Sequence, residues 1–182
     1  MRVIIFIVIL VISSPGYSRS TVLQQSLWGT AAAFAGIHAN TLYSIALQES
    51  GQQWKDGTFR PWPWTLHVNS GKSGIKAGAH RYPTREAAET ALHNMLGLGL
   101  NNVDVGLMQI NIVWHGGKVK DAVQLLDPRI NLTVAASILK NVHAGANVAQ
   151  TIARYHSFNP QRGLVYANQV KHYEKILHDR FQ

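Results

Sequence analysis

The chain has 182 residues, and its 17 Lys and Arg outnumber its 9 Asp and Glu, which gives a formal net charge of +8. Hydrophobic residues make up 46% of the sequence and charged residues 14%, a balance that can bury a core and excludes wholesale disorder. The absence of cysteine excludes disulfide frameworks, thiolate zinc sites and cysteine nucleophiles. Acid chemistry must therefore come from a short set of carboxylates: Glu49, Glu86, Glu89, Glu174, Asp56, Asp104, Asp121, Asp127 and Asp179.

The N-terminal segment has the features of a secretory signal peptide. Arg2 precedes an unbroken apolar run over residues 3–12, and small residues follow as far as Ser18. The run is too short for a stable membrane anchor, and a buried N-terminal helix or strand is the alternative interpretation. We predict a signal peptide over residues 1–18, a single mature domain over residues 19–182 with no membrane anchor, and a periplasmic location.

The excess of basic residues suits a polyanionic partner such as nucleic acid, anionic lipid or the acidic polymers of a cell wall. The basic side chains are scattered through the sequence, however, and form no run of five or more. Scattered charge and export together argue against nucleic acid as a partner.

Two helices are predicted at the start of the mature sequence. A first helix is expected over about residues 20–34. Asn40 can cap a second helix over residues 41–50, which Gly51 ends.

The middle of the chain departs from the helical pattern. Glycines and prolines interrupt residues 52–83, and within them residues 64–68 alternate in polarity, which predicts one strand of a small hairpin. Thr84 then caps an alanine-rich helix that runs to about Leu96. Residues 101–111 are predicted as a turn that leads into a short helical piece.

Three helices are predicted towards the C-terminus. Asp127 precedes a helix over residues 128–143, which begins with a proline at a tolerated position. Asn147 caps a helix over residues 148–156, and the last helix covers about residues 164–178. The predicted fold class is therefore mainly α, with a small β or irregular insertion over about residues 52–83.

Glu49 stands out among the carboxylates because of its place on the second predicted helix. It follows Leu42 by seven residues, close to two helical turns, and so continues the apolar stripe of Leu42, Ile45 and Ala46. A carboxyl at the end of a buried stripe is partly desolvated, which raises its pKa and suits a general acid for glycosidic cleavage. The structural alternative is a Glu that ends a helix and reaches solvent or pairs with a buried Arg.

Three short motifs occur in order along the chain: Glu49-Ser50, Gly106-Leu107-Met108-Gln109 and Ala153-Arg154-Tyr155-His156. Over about residues 24–177 they resemble the motifs of the soluble lytic transglycosylase (SLT domain) family, relatives of goose-type lysozyme. The third motif departs from the family's Ala-Tyr-Asn, because His156 stands where the family has Asn. Tyr166 resembles the tyrosine of the family's closing helix.

The resemblance implies a lysozyme-like helical fold and cleavage of the β-1,4 bond between MurNAc and GlcNAc in peptidoglycan glycan strands. Glu49 would protonate the glycosidic oxygen and then take the proton from the MurNAc 6-hydroxyl, which closes a 1,6-anhydro ring. This internal nucleophile would replace the second carboxylate of ordinary glycosidases. Asp56 and Asp104 stay open as partners for Glu49; if either faces it, hydrolysis by an activated water would compete.

The resemblance also implies substrate-binding roles for Ser50, Gly106, Leu107, Met108, Gln109, Tyr155, His156 and Tyr166. Ser50 would orient the substrate, and Gly106 would let the backbone pass close to the sugar. Met108 and Gln109 would line the cleft. The alternatives are a helix-end hydroxyl for Ser50 and plain core packing for Met108.

Two tyrosines and a histidine complete the expected site. Tyr155 and Tyr166 would donate hydrogen bonds to the Glu49 carboxylate, with half-buried aromatic packing as the alternative. His156 would hydrogen-bond the sugar or its N-acetyl group. The sequence contains no His-Glu-x-x-His pattern, so neither a metal nor a cofactor is expected.

Residues 63–68 and the surrounding insertion resemble the small transglycosylases that accompany conjugation or type IV secretion systems. This resemblance implies local opening of the cell wall for such an apparatus, with apparatus proteins as further partners. Two other functions stay open: a hydrolytic muramidase of the same fold, and a non-catalytic peptidoglycan-binding component of the apparatus.

Overall fold

Helices dominate the fold. The computed structural model describes residues 19–181, so the predicted signal peptide lies outside the described residues. Eight α-helices occur in this range: α1 (Arg19–Gln24), α2 (Leu27–Ala35), α3 (Ala39–Ser50), α4 (Arg85–Gly97), α5 (Ile112–His115), α6 (Pro128–His143), α7 (Val148–His156) and α8 (Pro160–Phe181). The predicted mainly α fold class is confirmed.

Short antiparallel strands form two small sheets between the helices. In the first sheet β1 (Gly51–Gln53) pairs with β2 (Phe59–Pro61). The second sheet has the order β4-β3-β5-β6 and consists of β3 (Thr65–Val68), β4 (Gly78–Arg81), β5 (Val103–Val105) and β6 (Ile110–Asn111). The predicted strand at residues 64–68 is therefore confirmed as β3.

Side-chain caps fix the starts of three helices where the sequence predicted them. Thr84 accepts a hydrogen bond from the backbone N–H of Ala87, and Asn147 accepts one from that of Gln150. Asp127 accepts from two backbone N–H groups in the first turn of α6. These oxygens satisfy donors that have no partner inside the helix, which is why α4, α6 and α7 begin as predicted.

The prediction of one continuous helix over about residues 20–34 is wrong, because this segment forms two helices, α1 and α2. Ser26 causes the break. Its hydroxyl donates to the Leu23 carbonyl and accepts from the Trp28 N–H, so it ends one helix and caps the next.

Two other helix starts differ from the prediction. Helix α3 begins at Ala39, with His38 at the cap position and no side-chain capping bond, so Asn40 lies inside the helix. Helix α8 begins at Pro160 and not near residue 164, because proline fits the first helical position and Asn159 accepts from the Arg162 N–H.

The segment over residues 101–111 is a hairpin of two paired strands and not a simple turn, which corrects that part of the prediction. Strand β5 pairs with β3 and with β6, so the second sheet extends beyond the predicted insertion. The alternation of Val103, Asp104 and Val105 puts both valines in the core and the carboxylate on the other face. A short helical piece, α5, follows β6 as expected.

Helix α3 lies at the centre of the core. Leu42, Ile45 and Ala46 are fully buried, and α2 and α8 pack against the helix. Glu49, in the last turn of α3, shares a cavity with residues of the second sheet and of α6, so it lies where helices and sheet meet. Within residues 19–181 no helix is both long and apolar enough to cross a membrane.

Candidate active site

Glu49 lies in the last turn of α3, at the end of the buried stripe that the sequence predicted. Its half-buried side chain lines a cavity of about 740 Å³ between the second sheet and the helices α6 and α7. The Tyr166 hydroxyl of α8 donates a hydrogen bond to Glu49 Oε1 at 2.5 Å, as predicted. The apolar stripe of α3 therefore ends with the Glu49 carboxyl in a cavity that opens to solvent.

The environment of Glu49 favours the protonated carboxyl. Burial raises its pKa from 4.5 to about 7, and the negative charge of Asp104 acts in the same direction. The hydrogen bond from Tyr166 opposes this shift because it stabilises the carboxylate. Near neutral pH the group can therefore both donate and accept a proton, which general acid–base catalysis requires.

Asp104 is the second acid of this cavity. It lies on β5, where the strand register sets it opposite His67 of β3 and Asn111 of β6. The Asn111 side-chain amide donates to Asp104 Oδ1 at 2.6 Å, and that of Asn69 donates to Oδ2 at 2.9 Å. Both carboxylate oxygens are held by amides, and no ion pair to Asp104 occurs in the described part of the chain.

Asp56, the other acid that the sequence left open, is remote from the cavity. It lies on the exposed turn between β1 and β2 and pairs with Arg60 at 2.5 Å. Asp56 does not line the cavity that holds Glu49. Only Asp104 of the two is therefore a candidate partner for Glu49.

Gly106 packs closely against Asn131 and Leu125, while its predicted approach to a sugar stays a prediction. The residue has a φ of +83°, and a Cβ atom there would lie 2.4 Å from Asn131 Nδ2 and 2.6 Å from the Leu125 carbonyl oxygen. Only glycine tolerates both conditions without strain. Its function is to let the hairpin approach α6.

Asn131 joins the hairpin to α6, and the sequence had given this residue no role in the site. Its buried side chain donates to the carbonyls of Val105 and Leu125 and accepts from the Met108 N–H, each at 2.8 Å. Its signal in the sequence is an amide on the apolar stripe of a helix, four residues before Ala135. A buried amide with three partners fixes the hairpin to α6.

The side chains of Ser50, Leu107 and Met108 are all buried, and none of them lines the cavity that holds Glu49, so their substrate contacts stay predictions. The Ser50 hydroxyl donates to the Leu107 carbonyl at 2.7 Å, which ties α3 to the hairpin. Leu107 and Met108 belong to the hydrophobic core, where the Met108 side chain is fully buried.

Gln109 does line the cavity. Its φ of +47° is unusual for a residue with a side chain. Its amide donates to the Gly106 carbonyl at 2.8 Å and to the Thr65 carbonyl at 3.2 Å. These two bonds hold the turn in its left-handed conformation, while the rest of the side chain faces the cavity.

Tyr155 does not reach Glu49, contrary to the prediction. Its hydroxyl donates to the Met108 carbonyl at 2.7 Å and so fastens α7 to the turn of the hairpin. His156 is exposed and its ring stacks on Tyr166, with 4.6 Å between the ring centroids and 4° between the planes. Partial desolvation of the ring and the positive charge of Arg162 lower the pKa of His156, which favours the neutral imidazole.

The structure adds cavity residues that the sequence did not identify. Among them are His67, Asn69, Asn111, Trp114, His115, Arg154 and Phe158. Of these, Trp114 and Phe158 expose 79% and 76% of their surface. Exposed aromatic rings beside a carboxyl indicate ligand contact. The sequence did not reveal Trp114 and Phe158 because short helices and loops have no periodic pattern that would mark them. Among the described residues no cluster of His, Asp and Glu could hold a metal ion.

A mainly α, lysozyme-like domain with a protonatable glutamic acid in an open cavity has the arrangement that general acid cleavage of a glycosidic bond requires. A model of the transglycosylase SLT domain family matches residues 26–172, and the chain belongs to this family. Membership indicates lytic transglycosylase activity on peptidoglycan. Neither the search of curated proteins nor the search of solved structures returned a match.

Replacing Gly106 with Ala should destabilise the protein by about 3 kcal/mol or more, since the added Cβ strains the backbone and collides with Asn131 and Leu125. Urea denaturation measures the loss. The matched control is Gly97→Ala, where a Cβ meets no atom within 4 Å, and stability should stay the same or rise slightly. If both substitutions change the free energy of unfolding equally, the backbone at Gly106 does not pack closely against Asn131 and Leu125.

Tyr166→Phe should move the basic limb of the pH–rate profile to higher pH. The lost hydrogen bond stabilises the Glu49 carboxylate, so its removal raises the pKa of Glu49 further. Tyr155→Phe is the control, because that hydroxyl donates to a backbone carbonyl. A limb that stays in place or moves to lower pH in Tyr166→Phe would show that the bond does not act on Glu49.

Proposed function

We propose that Glu49 is the catalytic acid and base of a lytic transglycosylase that cleaves the β-1,4 bond between MurNAc and GlcNAc. The observation that carries the proposal is a carboxyl in an open cavity with a pKa raised to about 7. A carboxyl of this kind supplies its proton at neutral pH and recovers one within the same turnover.

The reaction needs one carboxyl and no water. Protonated Glu49 donates to the glycosidic oxygen, and the bond to C1 of MurNAc breaks as the GlcNAc hydroxyl leaves. The MurNAc 6-hydroxyl oxygen then bonds to C1, and its proton passes to the Glu49 carboxylate. This closes the 1,6-anhydro ring and restores the acid, while Tyr166 holds the carboxyl in one orientation.

The walls of the larger cavity suit a glycan strand. The exposed rings of Trp114 and Phe158 offer flat apolar surfaces for the C–H faces of sugars. Gln109 and His156 offer polar groups that fix the orientation of a sugar. The basic balance of the protein favours its approach to an anionic wall.

A hydrolytic muramidase is the second candidate function, and Asp104 is the observation that favours it. Asp104 lines the same cavity as Glu49, where a carboxylate can act on a water or on positive charge at C1. Two carboxylates around a scissile bond are what ordinary glycosidases use. In that mechanism water and not the 6-hydroxyl would attack C1.

Digestion of purified sacculi decides between these functions. Wild-type protein should release muropeptides that end in 1,6-anhydroMurNAc, lighter by one water than the products of hydrolysis. Glu49→Gln should release none. Reducing-end MurNAc as the main product would establish hydrolysis, and binding to sacculi without any product would establish a non-catalytic wall-binding component.

In the cell, we infer that the protein opens the periplasmic wall locally for a secretion or conjugation apparatus. The support is the signal peptide pattern over residues 1–18 and the resemblance of residues 63–68 to transglycosylases of such systems. Cell fractionation and N-terminal sequencing test the export. A mature terminus near Arg19 in the periplasm is expected, and an intact Met1 in the cytoplasm would contradict it.

A further inference from the structure

A second, smaller cavity of about 410 Å³ meets the larger one at Glu49. Glu49 and His156 line both cavities, so the carboxyl lies at their junction. The smaller cavity is enclosed by the end of α3 and the first turns of α8. A substrate that places its scissile bond against Glu49 therefore extends into both cavities.

The two cavities differ in chemistry. The larger one contains Asp104, Arg154 and the exposed rings of Trp114 and Phe158. The smaller one is lined by three glutamine amides, from Gln48, Gln161 and Gln169, by the Arg162 guanidinium and by Val165. Both cavities thus hold an arginine and amides, but Arg154 of the larger cavity shares it with Asp104 and donates to the Val142 carbonyl. In the smaller cavity Arg162 has no acid beside it other than Glu49.

Arg162 is available to a ligand. Its side chain is exposed, and it takes part in none of the salt bridges among the described residues. Its charge acts on His156, which places the guanidinium near the junction of the cavities. A guanidinium has a planar set of donors that matches the two oxygens of a carboxylate.

We propose that the smaller cavity is a subsite for a carboxylate of the peptide stem carried by MurNAc, which Arg162 binds with the help of the glutamine amides. This inference rests on the proposed function, because it assumes a peptidoglycan strand in the cavities. Stem peptides carry free carboxylates and branch from the sugar next to the scissile bond. The subsite makes the enzyme prefer strands that carry charged stems.

The test compares native sacculi with sacculi whose carboxylates are converted to amides by carbodiimide and ammonia. Wild-type protein should cleave native sacculi about two- to fivefold faster than amidated sacculi, the range expected for one partly exposed ion pair. Arg162→Gln should be slower on native sacculi and should lose most of this preference. Arg129→Gln is the control, because it removes the same charge from an exposed site outside both cavities. This variant should keep the preference for native sacculi.

Binding of inactive protein gives a readout that does not depend on turnover. Glu49→Gln should sediment with native sacculi more strongly than the Glu49→Gln, Arg162→Gln double variant, and amidation should remove the difference. On glycan strands stripped of their stems the difference between the two proteins should disappear, and a difference that persists there would show that Arg162 binds without a stem carboxylate and would overturn the stem as the ligand. Equal native-to-amidated ratios for Arg162→Gln and Arg129→Gln would overturn the subsite, whereas wild-type protein without any product would overturn the proposed function itself.

Discussion

Glu49→Gln should reduce the rate of glycan cleavage by about 10⁴-fold or more. Acid–base assistance is worth about 10²- to 10⁴-fold for a single proton transfer, and here one carboxyl performs two. The amide can still accept the hydrogen bond from Tyr166, so the fold should remain intact. Rates are measured on the same sacculi at the same pH, with thermal unfolding to show that the variant is folded.

The pH dependence gives the same prediction a second readout. The acid form of Glu49 donates the proton, and the carboxyl loses that proton as the pH rises through about 7. The wild-type rate should therefore fall above about pH 7, on a limb that belongs to Glu49. Asp56→Asn removes one negative charge from an exposed turn and should leave both rate and profile unchanged.

Asp104→Asn separates the two mechanisms. If the 6-hydroxyl is the nucleophile, the variant should lose much less activity than Glu49→Gln and should keep the anhydro product. Removal of the Asp104 charge should also lower the pKa of Glu49 and move the basic limb to lower pH. A folded Asp104→Asn protein as inactive as Glu49→Gln would make the two-carboxylate hydrolysis the better mechanism.

The sequence predicted the helical frame and Glu49 because both depend on local patterns. The caps at Thr84, Asp127 and Asn147 are oxygen atoms within one turn of the N–H groups they satisfy. The stripe that carries Glu49 is a periodicity within a single helix. Neither requires knowledge of which distant segment packs against the helix.

The hairpin over residues 101–111 was not predicted because its strands are too short for an alternating pattern to be clear. Its conformation is fixed by partners far away in the sequence, such as Asn131 for Gly106 and Ser50 for Leu107. For the same reason a family motif does not reveal which of its side chains face the cavity. Of Gly106, Leu107, Met108 and Gln109, only Gln109 does.

Asn131→Ala should destabilise the protein by about 3–5 kcal/mol, the largest stability loss expected for a single polar side chain here. The substitution removes three hydrogen bonds and leaves the carbonyls of Val105 and Leu125 and the Met108 N–H without a partner. Each buried backbone group that loses its partner costs about 1–3 kcal/mol. Urea denaturation measures the change in the free energy of unfolding.

The matched control is Asn141→Ala, the same substitution at an exposed position of the same helix. There the change should stay within about 0.5 kcal/mol, because alanine is the better helix former and water replaces the lost partners. Asn131 also fixes the backbone next to Gln109, so cleavage by folded Asn131→Ala protein should fall although its side chain does not line the cavity. If the two alanine variants unfold at the same urea concentration, the three hydrogen bonds do not hold the hairpin to α6. A large loss at Asn131 alone would show that the catalytic cavity depends on a buried amide that touches no substrate.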